Sequence, residues 1–136
     1  MTTLVRPKIS KRNKYYISKH RYYELKHFCL QYREWKEELS RLYLTPKALK
    51  PDRIRLDILA DPTPEMAEKR MTLFNKMELV EQTSIAADAE LSHFIFLAVT
   101  EGATYESLQM RHNIPCSRGT FYDRYRRFFW LLSEQR

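Results

Sequence analysis

Two glycines, Gly102 and Gly119, are all that a chain of 136 residues contains. Glycine supplies positive-φ turns and lets backbones approach closely, so its scarcity rules out whole classes of structure. A phosphate-cradling Gly-x-x-x-x-Gly-Lys loop and a dinucleotide-binding Gly-x-Gly-x-x-Gly turn are both absent. A β-sandwich or barrel needs turn residues every ~8–12 positions, and the six prolines do not supply them. Apolar residues make up 43% of the chain, enough to build a core instead of a disordered coil. The expectation is one domain, or one with a small appendage, of all-α class, a bundle of about five helices.

The charges are unevenly placed. Lys and Arg number 24 and Asp and Glu 17, a net charge of +7. Residues 1–21 carry seven basic groups and no acid. Residues 57–106 hold three basic and ten acidic groups, and residues 107–136 hold six basic and two acidic. Both ends are therefore basic around an acidic middle. Basic ends suit a polyanionic partner, nucleic acid above all. Residues 22–136 balance at 17 of each sign, so the net charge is that of the N-terminal segment alone.

Residues 1–17 lack periodicity and are read as a basic flexible arm, either a solubilising tail or a nucleic-acid contact. Ser18 offers a helix cap, and no Gly or Pro interrupts the chain from there to Leu44. Tyr22, Leu25, Phe28/Cys29, Tyr32, Trp35, Leu39 and Leu42 recur at steps of three and four, the stripe of one long amphipathic helix. Such a stripe serves as a core face or as a helix–helix dimer contact. Thr45-Pro46 and Lys50-Pro51 end it. Residues 53–59 alternate polar and apolar but have no partner strand, so they are read as an extended connector.

Thr63, Pro64 and Glu65 mark a new helix start: a cap, a first-turn proline and an acid at the positive end of the dipole. Met66, Arg70/Met71, Phe74, Met77 and Leu79/Val80 continue that helix to about residue 88, with the methionines as core fillers. Ala89 to Thr100 is apolar on most sides and is expected to be the central buried helix, closed by Gly102. Residues 18–102 thus form a helical scaffold and oligomerisation region.

Residues 103–136 read as a helix-turn-helix. Thr104 caps a short helix, Asn113 takes the left-handed position of the turn, and Ile114 is its buried residue. Ser117 caps the second helix, 118–133, in which Phe121, Tyr125, Phe128 and Leu132 form one apolar face. The start of such a helix approaches base edges in the major groove of double-stranded DNA. Ser117, Arg118, Thr120 and Tyr122 are the expected readers, joined by Arg126 further along. Arg111, Arg124 and Arg127 are expected on backbone phosphates. Gly119 fits close backbone approach to DNA, or simply a frayed helix start.

Thr104-Tyr-Glu-Ser-Leu108, Asn113-Ile-Pro-Cys-Ser-Arg-Gly-Thr-Phe-Tyr122 and Asp123-Arg-Tyr-Arg-Arg127 resemble the C-terminal helix-turn-helix of sigma-factor-like phage regulators, of the RinA and ArpU type. The likeness covers about residues 90–136. It implies a phage or prophage transcriptional regulator that acts in the cytoplasm of the bacterial host. Pro115 in the turn and the aromatic-rich second helix depart from that pattern. Those aromatics are free to pack on the N-terminal helix or on a second subunit.

Catalytic and metal chemistry find no motif. His20, His27, His93 and His112 lack the spacing of a zinc site, and no carboxylate set for a two-metal nuclease appears. There is no nucleophile elbow. Cys29 and Cys116 are too few and too distant for a disulfide framework and are read as small buried hydrophobes in a reducing compartment. No apolar run reaches membrane-spanning length. The expectation is a DNA-binding protein with no enzyme activity, metal or cofactor. RNA polymerase and a homodimer mate are further candidate partners. Two alternatives stand beside it: a small terminase-like packaging protein, and a protein-interaction module with basic ends.

Overall fold

The computed structural model describes residues 11–43 and 63–136. The connector at 53–59 and the proline breaks at 46 and 51 lie outside the described residues. The protein is all-α. Its helices are α1 (Lys19–Leu30), α2 (Tyr32–Tyr43), α3 (Pro64–Ala87), α4 (Ser92–Glu101), α5 (Tyr105–His112) and α6 (Arg118–Gln135).

Local chemistry sets the helix starts. The first N–H groups of a helix lack intrahelical acceptors, and a hydroxyl three residues back supplies one. Ser18 Oγ accepts from Arg21 N–H, Thr63 Oγ1 from Met66, Thr104 Oγ1 from Ser107 and Ser117 Oγ from Thr120, each at 3.2 Å. At α4 no such cap operates. Instead Asp88 Oδ1 takes the N–H groups of Glu90 and Leu91 just ahead of it, at 2.9 and 3.1 Å. Left-handed residues close two helices, Gly102 (φ 73°) after α4 and Asn113 (φ 50°) after α5.

The single long helix expected from 18 to 44 divides at Gln31. Its N–H reaches only three residues back, to Phe28 O at 3.2 Å, so the α-helical ladder lapses there. The division has a larger meaning. The described residues of Met1–Gln31 pack with Val80–Arg136 as one compact unit, and those of Tyr32–Leu79 form a second. The helices α1 and α2 thus fall in different units, and α3 contributes residues to both.

In the first unit α1, α4 and α6 pack on one another. Leu25, Phe28 and Cys29 of α1 meet Ile95, Ala98 and Val99 of α4 and the buried face of α6 in one core. That face is wider than expected, since Phe129 joins Phe121, Tyr125, Phe128 and Leu132. Edge-on ring contacts run Tyr22–Phe129 at 5.1 Å, Tyr125–Phe129 at 5.0 Å and Phe128–Phe129 at 5.0 Å. The hydroxyls of Tyr22 and Tyr125 share a buried hydrogen bond of 2.9 Å, which satisfies both where water is excluded. The surplus aromatics of α6 therefore pack on α1.

In the second unit Trp35 and Leu73 are buried. Lys76 Nζ lies 5.6 Å from the Trp35 ring. Arg70 stacks its guanidinium 4.1 Å over Tyr43 and donates to Leu42 O at 2.8 Å.

Three expectations need correction. Met71 and Phe74, assigned to a core stripe, are 60% and 52% exposed. The buried line of α3 runs to one side of them, through Leu73 and Val80. Tyr15, assigned to a flexible arm, is 6% exposed and packs against Trp130 with ring centroids 5.8 Å apart. Cys116 is only partly covered, whereas Cys29 is buried; both are free thiols.

Candidate nucleic-acid interface

α5, the turn at 113–117 and the start of α6 are held together by specific contacts. Leu108 and Ile114 are buried beneath them. Tyr105 Oη donates to Cys116 O at 2.6 Å, so the ring of α5 clasps the turn. The Tyr105 ring also lies 5.9 Å from that of Phe121.

The first turn of α6 stands clear of this support. Ser117, Arg118, Gly119 and Thr120 are all exposed, and Phe121 is the first buried residue. The two hydroxyls close the turn on themselves, with Ser117 Oγ to Thr120 Oγ1 at 3.0 Å. Phe121 is the first to reach a backbone carbonyl, Ser117 O at 3.0 Å. The N–H groups of Arg118 and Gly119 thus face outward at the positive end of the helix dipole, a setting that favours anions.

The expected site residues part company here. Arg118 is exposed, but its Nε is paired with Glu106 Oε2 at 2.9 Å and its guanidinium lies 5.2 Å from the Tyr122 ring centre. Tyr122, expected as a reader, is turned into the fold. Its residue is 9% exposed, and its hydroxyl accepts the Tyr105 N–H at 3.3 Å, an orphan donor at the start of α5. Arg111 is exposed at the end of α5 and forms no ion pair among the described residues. Arg126 is half-buried, and its Nε has no hydrogen-bond partner.

Arg124 and Arg127 lie away from the first turn of α6 and have partners within the fold. Arg124 donates to Asp88 Oδ2 at 3.1 Å and to Asp123 Oδ2 at 2.8 Å, tying α6 to the bend between α3 and α4. Arg127 lies nine residues past Arg118, about two and a half turns, which puts it on the opposite side of α6. There its Nη1 donates to Tyr15 Oη at 3.4 Å. Sequence reasoning missed Glu106 and Tyr15, the partners of Arg118 and Arg127. The basic run around Tyr15 hid an aromatic anchor.

The two glycines give opposite expected outcomes. A Cβ at either meets nothing within 4 Å, but Gly102 has φ 73° and Gly119 has no positive φ. Gly102→Ala is expected to lose about 1 kcal/mol of stability by forcing an L side chain into the left-handed region. Gly119→Ala is expected to gain about 0.5–1 kcal/mol. Urea unfolding of the two variants checks the signs.

Among the described residues no three His, Cys, Asp or Glu side chains come together to hold a metal ion. No described helix is long and apolar enough to cross a membrane. Comparison of the chain with family models, with curated proteins and with solved structures gave no match.

Proposed function

We propose that the protein binds double-stranded DNA, with α5 and α6 acting as a helix-turn-helix and the first turn of α6 entering the major groove. One observation carries this reading. Four successive exposed residues, Ser117 to Thr120, open a helix whose apolar face is wholly engaged in the core. A helix so anchored presents its start to a partner at fixed orientation, as a recognition helix must. Arg118, Thr120 and Ser117 are its base-facing residues, with Arg126 beyond them and Arg111 on a phosphate. Arg118 exchanges Glu106 for a base edge. Both side chains of that pair are more than half exposed, so separating them costs less than about 1 kcal/mol. The biological role we assign is a sequence-specific transcription regulator of a phage or prophage. The resemblance of residues 104–127 to such regulators supports it. The acidic middle of the sequence, 57–106, is a candidate contact for RNA polymerase.

A gel shift of the full chain with operon fragments at two salt concentrations tests the reading. A selective complex that weakens steeply with salt is expected. Arg118→Ala combined with Arg126→Ala is expected to reduce discrimination about tenfold or more, since one good arginine–guanine pair is worth ~1–3 kcal/mol. A selective complex unchanged by the double substitution refutes this assignment. The exposed Met71 and Phe74 favour one second reading, a packaging protein that self-assembles through α3. Light scattering separates a ring from a monomer or dimer.

A further inference from the structure

Away from the start of α6, a second cationic site is built around Tyr15. The chain is fixed there. Tyr15 N–H donates to Asn13 Oδ1 at 2.8 Å, and Tyr16 N–H to Asn13 O at 3.0 Å. The Tyr15 ring is pinned against Trp130 of α6. Two cations meet this one side chain. Lys14 Nζ sits 5.0 Å from the ring centroid, and Arg127 Nη1 lies 3.4 Å from the hydroxyl. Neither Lys14 nor Arg127 forms an ion pair among the described residues. Arg127 Nε is buried without any acceptor.

An anion supplies the ion-pair partner that both lack: the Lys14 ammonium is exposed and the Arg127 side chain is only half-buried. Lys11, three residues before Lys14, is exposed in the same segment. Several cations fit a chain of anions better than a single one does. Among the described residues of this segment, 11–17, no large apolar side chain is exposed. A lipid surface would need such an anchor beside the charges.

We propose that Lys14 and Arg127, clamped on Tyr15, form a site for the sugar–phosphate backbone of double-stranded DNA, separate from the start of α6. Arg127 lies about 14 Å along α6 from Arg118, at a rise of ~1.5 Å per residue, and on the other side. The site adds affinity without reading sequence. It stands whether or not the first turn of α6 reads bases.

The test uses the full chain and a labelled duplex of unselected sequence, with binding followed by anisotropy over a range of salt. Each phosphate deprived of its cation lowers the slope of log K against log salt by about 0.9. Lys14→Gln with Arg127→Gln is therefore expected to lower the slope by about two units. Lys14→Gln alone, at an exposed residue, is expected to lower it by about one, which guards against a folding defect in the double variant. An unchanged slope and affinity in both variants overturn the proposal and leave the α6 reading standing. Reduced selectivity in the Arg118 and Arg126 variant, with this slope unchanged, supports two separate sites. No duplex binding by the wild type, or binding only to anionic phospholipid vesicles, overturns the proposal. Replacing chloride by inorganic phosphate at constant ionic strength is expected to leave affinity within about twofold, because a polymer backbone releases many counterions at once. Strong competition by phosphate assigns the site to the free anion and overturns it too.

Discussion

Phe128→Ala is expected to lower the unfolding free energy by about 3–5 kcal/mol, the cost of emptying a fully enclosed aromatic site. The side chain is 0% exposed and meets the Phe129 ring edge-on at 5.0 Å. It sits midway along the buried face of α6, between Tyr125 and Leu132, where α1 and α4 also converge. Nothing there can collapse without moving a helix, so most of the cavity persists. Against a total stability of about 5–15 kcal/mol for a small protein, this removes a large share. The thermal midpoint is expected to fall by roughly 10–20 °C. The urea midpoint follows, with the slope m unchanged if the denatured state is unaltered. Phe128→Leu keeps most of the volume and is expected to cost much less, under about 1.5 kcal/mol. A decrease below about 1 kcal/mol for the alanine variant would contradict the packing of α6 described above. The same helix carries the core and the candidate reading surface. DNA binding by Phe128→Ala is therefore expected to disappear at its own lower melting temperature while persisting below it.

Features decided within a few residues were legible in the sequence. Ser18, Thr63, Thr104 and Ser117 were recognisable as caps because the hydroxyl and the N–H it serves are three residues apart. Gly102 and Asn113 were recognisable because a left-handed residue is a local backbone need. The face Phe121, Tyr125, Phe128 and Leu132 followed from spacing alone. Spacing misplaced the stripe of α3, because its buried residues include Thr83 and Ser84 as well as Leu73 and Val80. Ser84 is buried with its hydroxyl satisfied by Val80 O at 3.0 Å, so polarity gave the wrong side of the helix. Tertiary partners escaped altogether. Arg124 and Arg127 look alike in sequence, yet one is bound to Asp88 and the other to Tyr15, 36 and 112 residues away. The first turn of α6 was legible because its exposure depends on where one short turn ends. The site around Tyr15 was not, because it exists only once the N-terminal segment folds onto α6.

Raising the pH is expected to unfold the protein cooperatively between about pH 11 and 12, through two acids that the core holds neutral. Burial pushes the Cys29 thiol far above its ordinary 9.0, with Arg136 opposing the shift only in part. Burial also pushes the Tyr125 phenol well above 10.0, and the neighbouring Tyr22 and its hydrogen bond add to the effect. In the unfolded chain both groups ionise at their ordinary values. Folding therefore keeps its full stability below about pH 9 and loses it as pH rises. Each group costs the folded state about a factor of ten per pH unit above its unfolded value. By pH 11 that is about a hundredfold from Cys29, about 3 kcal/mol, and the Tyr125 phenol adds to it. Circular dichroism and phenolate absorbance, recorded together, give the check: Tyr125 should ionise only as helix is lost. Cys29→Ala is expected to remove most of the decline between about pH 9 and 10, even though it lowers stability at neutral pH through poorer packing. The Cys116 thiol, also raised by partial burial, accounts for the rest. Full ionisation of the tyrosines in a chain still helical at about pH 12 would show that the Tyr22–Tyr125 pair is open to water, and with it the seam between α1 and α6.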